Sequence, residues 1–104
     1  MSTYEQLLSK AIAVLEKYSL AAFIRGFTPV LVNQLMVNHI EKVRQANSYD
    51  NVFAMLNAAL STQLGVQTSV DKFIAKKEDR DMLYEIFQTW RVMLLAEKDG
   101  FVEI

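Results

Sequence analysis

Almost nothing in this chain can stop a helix. Its 104 residues include three glycines, Gly26, Gly65 and Gly100, and a single proline, Pro29. Each glycine follows a stretch in which apolar residues recur with a helical period, where a residue able to turn left-handed closes the last carbonyls. Pro29 follows Thr28, a good N-cap, and so falls at the first-turn position where a missing N–H does no harm. The punctuation predicts an all-α domain. It does not read as a catalytic motif.

The periodicity fills in the elements. Ser2 or Thr3 opens a first helix, with Glu5 and Gln6 at capping-box spacing. Tyr4, Leu8, Ala11, Leu15, Tyr18 and Ala22 then recur in steps of four and three, which predicts about 20 residues of amphipathic helix closed near Arg25-Gly26. A second helix runs from Thr28-Pro29 to about Ala46, with Leu31, Val32, Leu35, Met36, Ile40 and Val43 on its apolar half. Ser48 or Asp50 caps a third, from about Asn51 to Leu64, and no residue from Asn51 to Val70 is Asp, Glu, Lys or Arg. Such a helix is central in a bundle or covered by a partner. A short helix follows Thr68 or Ser69. A last one runs from about Asp79 to Lys98, with Met82, Leu83, Ile86, Phe87, Trp90, Met93 and Leu94 as its core stripe. Val70, Phe73 and Ile74 would fall off that stripe in one straight helix, so a break is expected near Lys77-Glu78. The expectation is one domain over residues 1–104, a compact antiparallel bundle of four main helices plus one short helix.

Composition narrows the function. Net charge is -1 and the charged fraction 22%, which argues against a generic nucleic-acid binder. With no cysteine, disulfides and thiolate metal sites are out. The N-terminus lacks a basic region before an apolar run, and no run of about 20 apolar residues suggests a membrane span. A cytoplasmic protein without cofactor or metal is expected. No paired carboxylates, phosphate loop or nucleophile triad can be identified, so the chain reads as a non-enzyme.

Three sets of residues stand out. Tyr84, Val92 and Leu95 fall on the far side of the last helix, and Ala54 and Ala58 are small residues on the uncharged third helix. Together they suggest an interface, and the leading expectation is a protein–protein interaction module (adaptor, regulator or inhibitor) that forms a homodimer. Residues 60–76, from Leu60 through Gly65 to Lys76, look like a helix-turn-helix, with Gln67, Thr68, Lys72 and Lys76 as its DNA contacts. Asp71, however, stands where the second helix of that motif needs an apolar residue. His39-Ile40-Glu41-Lys42 resembles the His-x-x-Lys element of histidine phosphotransfer domains, which are also small helical bundles. The resemblance implies that His39 accepts a phosphoryl group. Val43 stands where those domains usually carry glycine.

Overall fold

A computed structural model describes residues 3–100 of the chain. It is all-α: α1 (Thr3–Glu16), a 3-10 turn (Ala21–Phe23), α2 (Pro29–Asn38), α3 (Ile40–Gln45), α4 (Tyr49–Leu64), α5 (Val70–Phe73) and α6 (Lys77–Asp99), with no strand among the described residues. Four helices have ten residues or more and two are short. The caps behave as the sequence suggests. Thr28 Oγ1 accepts from the Leu31 N–H at 3.2 Å with Pro29 in the first turn, and Ser48 Oγ accepts from the Asn51 N–H at 3.3 Å. Gly65 closes α4 at φ 72°, where a Cβ would be strained.

Two helices are shorter than their periodicity suggests. The first stops at Glu16 instead of continuing toward Arg25. Ser19 turns left-handed (φ 59°), the Ser19 N–H donates to the Glu16 carbonyl at 3.3 Å, and the Leu20 N–H reaches back to Leu15 at 2.9 Å. That is a Schellman closure without glycine, secured by buried Leu15 and Leu20. The expected second helix is split at His39 (φ −117°, ψ 35°) into α2 and α3. The split lets both Val43 and Ala46 reach 0% exposure. The expected break before the last helix is present, three residues early, at 74–76.

α6 is the spine. It runs antiparallel to α1: Tyr4 lies against Trp90 with ring centroids 5.2 Å apart, while Tyr18 meets Asp79 at the other end. Leu83, Ile86, Phe87, Trp90, Leu94 and Leu95 are all buried, and the Trp90 N–H donates to Asn33 Oδ1 of α2 at 2.6 Å. Met82, expected in this stripe, is 50% exposed and lines a cleft with Lys17, Tyr18 and Asp79. Between α1, α2, α4 and α6, an apolar void of about 30 Å³ is bounded by side chains that include Leu8, Val32, Met36, Leu56, Ala59 and Leu83.

Arg91 is the one basic side chain in the core, at 2% exposure. Its Nε donates to the Val43 carbonyl at 2.6 Å and its Nη2 to the Arg44 carbonyl at 2.9 Å. A guanidinium thus closes the C-terminal carbonyls of α3, where the helix dipole favours a cation.

Candidate functional site

The patch expected on α6 is partly covered by the chain itself. Tyr84, Arg91 and Leu95 share one row of α6, seven and four residues apart. Tyr84 is half-buried with its ring 5.5 Å from that of Tyr49, and Arg91 meets the end of α3. Leu95 has 0% exposure, which corrects its assignment to a free interface: α3 and the start of α4 fill the face that the wheel left open. Val92 is half-buried.

The α4 residues fare differently. Ala54 is exposed and Ala58 half-buried. They lie on an outward stripe with exposed Asn51 and Thr62, and beside Ala54 a groove runs between α3 and α4 past Lys42 and Gln45. The opposite flank of α4 holds the next turn. Asn57 Oδ1 accepts from the Val70 N–H at 2.9 Å, Asn57 Nδ2 donates to Asp71 at 2.9 Å, and Ser61 Oγ accepts from the Thr68 N–H at 2.9 Å. Asn57 and Ser61 of α4 are therefore caps for its own neighbour.

That clamp also decides the shape of residues 60–76. The segment after Gly65 forms only the four-residue α5, and Asp71 is bound to Asn57 instead of pointing at a groove of DNA. Of the residues expected to contact DNA, Gln67, Lys72 and Lys76 are exposed, while Thr68 is buried with its hydroxyl on the Val66 carbonyl. Within residues 60–76 the helix that follows the turn is four residues long, shorter than a normal recognition helix.

His39 is half-buried at the α2–α3 junction, with Nε2 3.2 Å from Thr62 Oγ1. The Thr62 hydroxyl has one proton, and it goes to the Ala58 carbonyl at 2.9 Å. The Thr62 oxygen must therefore accept, and His39 Nε2 carries the hydrogen. This engages Nε2 and ties the junction to α4.

One cleft was not visible in the sequence. It has a volume of about 470 Å³ and is lined by Lys17, Tyr18, Lys76, Glu78, Asp79 and Met82. Asp79 is 5% exposed at its base. It accepts from the Tyr18 hydroxyl at 2.5 Å and from Lys17 Nζ at 3.2 Å. The Tyr18 oxygen in turn accepts from the Lys76 N–H at 3.3 Å. The Tyr18 hydrogen bond first, then Lys17, holds the Asp79 carboxyl below its usual range; the same bond and burial push the Tyr18 phenol up. The Asp79 carboxylate has two donors, and the Tyr18 phenol has spent its proton and a lone pair. The arrangement is a clasp between the end of α1 and the start of α6.

At the other end of that pair, burial, with Glu97 adding to it, pushes the Tyr4 phenol up to about 12. Among the described residues no cluster of histidine or carboxylate groups could hold a metal ion, and no helix is long and apolar enough to cross a membrane. No protein-family model matches the chain, and neither the curated proteins nor the solved structures contain a significant match. The fold and its surfaces define an all-α bundle, and function has to be argued from those surfaces.

Proposed function

We propose that this chain is a small protein–protein interaction module whose docking face is the outer surface of α2 and α4, with a second copy as its first partner. The distribution of charge carries the reading. α2 and α4 together hold one Asp, Glu, Lys or Arg, namely Asp50. At the chain's overall 22%, those 26 residues would hold about six.

Docking strips water from a surface, and charged groups resist this most. Interface cores are accordingly depleted of charge. Here the exposed side chains are Val30, Gln34 and Asn38 on α2 and Asp50, Asn51, Ala54, Thr62 and Gln63 on α4, and of these Asp50 in the first turn of α4 is the one that is charged. Val30 is 79% exposed. In a two-fold contact each residue near the axis meets its own copy, so like charges would repel. A face with a single charge has little of that conflict.

Sedimentation velocity from micromolar to millimolar concentration tests the reading. The expected result is a rapidly reversible dimer, weakened at least tenfold by Ala54→Arg, with unchanged helical circular dichroism. Sedimentation as a monomer throughout, or a dimer indifferent to Ala54→Arg, would sink it.

A further inference from the structure

The joint between α5 and α6 bends without a residue that would bend it. Ile74, Ala75 and Lys76 separate the two helices, and none is glycine or proline. Alanine and lysine are good helix formers and isoleucine is middling. Yet Ile74 (φ −95°, ψ 102°) and Lys76 (φ −86°, ψ 129°) are extended.

Side chains from elsewhere hold the bend. Arg80 Nη1 donates to the Ile74 carbonyl at 2.7 Å and to the Ala75 carbonyl at 3.0 Å. The Lys76 N–H is taken by Tyr18 at 3.3 Å. A helix continuing through the joint would satisfy these groups with its own backbone. The same acceptors and donor thus have two alternative sets of partners, one for a bent joint and one for a straight joint.

We infer that residues 74–76 form a hinge at which α5 and α6 fuse into one helix, and that the released α6 docks into a second copy of this chain, which returns its own α6. The occupant follows from the core. Leu83, Ile86, Phe87, Trp90, Leu94 and Leu95 are buried against the rest of the bundle, and a surface of that size stays out of water only when it is refilled. The one body shaped for it is the one it left, and a second copy supplies an identical body. Exchange rebuilds the Tyr4–Trp90 and Tyr18–Asp79 contacts between chains and changes only the joint. This inference uses none of the α2–α4 face and does not rest on it.

The test is refolding of the full chain at millimolar and at micromolar concentration, followed by dilution and light scattering. A dimer should form at the higher concentration and survive dilution for hours, because undoing it requires α6 to leave its partner. Ala75→Pro should give monomer alone. Ala75 is exposed and Ile74 before it is already extended, as a residue preceding proline must be, but no straight helix can pass through the site. Ala75→Gly keeps the N–H and should lower the dimer association constant about tenfold, since two joints per dimer enter a helix. Tyr18→Phe removes the Asp79 bond from both forms and the Lys76 N–H bond from the bent joint alone, and so should raise that constant about tenfold. The inference is overturned if the wild type gives no dilution-resistant dimer, or if Ala75→Pro and Ala75→Gly both leave that dimer undiminished. A fast-exchanging dimer broken by Ala54→Arg but not by the Ala75 variants would remove the hinge and leave the α2–α4 reading standing.

Discussion

Replacing Arg91 by methionine keeps most of the side-chain volume and removes the guanidinium that closes α3. Arg91 is 2% exposed and donates to the Val43 and Arg44 carbonyls at 2.6 and 2.9 Å. Hydrogen bonds from a charged donor contribute about 1.5–3 kcal/mol each. The variant recovers the penalty of burying a charge, which offsets part of that loss. The Val43 carbonyl also keeps the Ala46 N–H at 3.2 Å, so it is not left bare. A net loss of about 2–4 kcal/mol follows, a large fraction of a typical ~5–15 kcal/mol stability. Urea unfolding followed at 222 nm should show the midpoint falling by about 2 M with an unchanged slope. Amide exchange in α3 should accelerate more than in α1. Arg91→Lys should recover less than half of the loss, because an ammonium cannot span two carbonyls as a planar fork does. A neutral or stabilising Arg91→Met would mean that this guanidinium does not hold α3, and that its burial is incidental.

Leu95→Glu should unfold the protomer, since it places a carboxylate where exposure is 0%; a folded Leu95→Glu variant by circular dichroism would contradict the packing of α6 against α3. Asp79 titrates below its ordinary 3.8 in the folded chain, so its contribution to stability is present above that value and is lost as pH falls through the folded pKa. Asp79→Asn should therefore be less stable than the wild type at neutral pH, with the gap closing in acid. A gap that stayed constant down to the acid limit would show that the carboxylate's charge is not what Tyr18 and Lys17 stabilise.

The helix ends that use special residues were legible: Thr28-Pro29, Ser48 and Gly65 all act as their chemistry suggests. The end of α1 was not, because Ser19 takes the left-handed position that glycine usually fills. Its only trace in the sequence is the apolar pair Leu15 and Leu20 at the spacing of a Schellman contact. The split at His39 left no trace, since tertiary packing imposes it. Leu95 departs from its expected place for another reason. A helical wheel reports the direction of a side chain and not how many neighbours surround the helix, and α6 is enclosed by α1 on one side and by α3 and α4 on the other. The Tyr18–Asp79 clasp joins residues 61 apart, beyond the reach of any local pattern.

The apolar void beside Ala59 makes the folded molecule larger than the sum of its atoms and waters. Its volume of about 30 Å³ corresponds to about 18 mL/mol, near the lower end of the ~20–100 mL/mol contraction that accompanies protein unfolding. Hydrostatic compression therefore has an identifiable place to act on this bundle, the meeting point of α1, α2, α4 and α6. Apolar walls offer water no hydrogen bond at ambient pressure. Under compression, filling that space with water or opening the core around it becomes the route to a smaller volume.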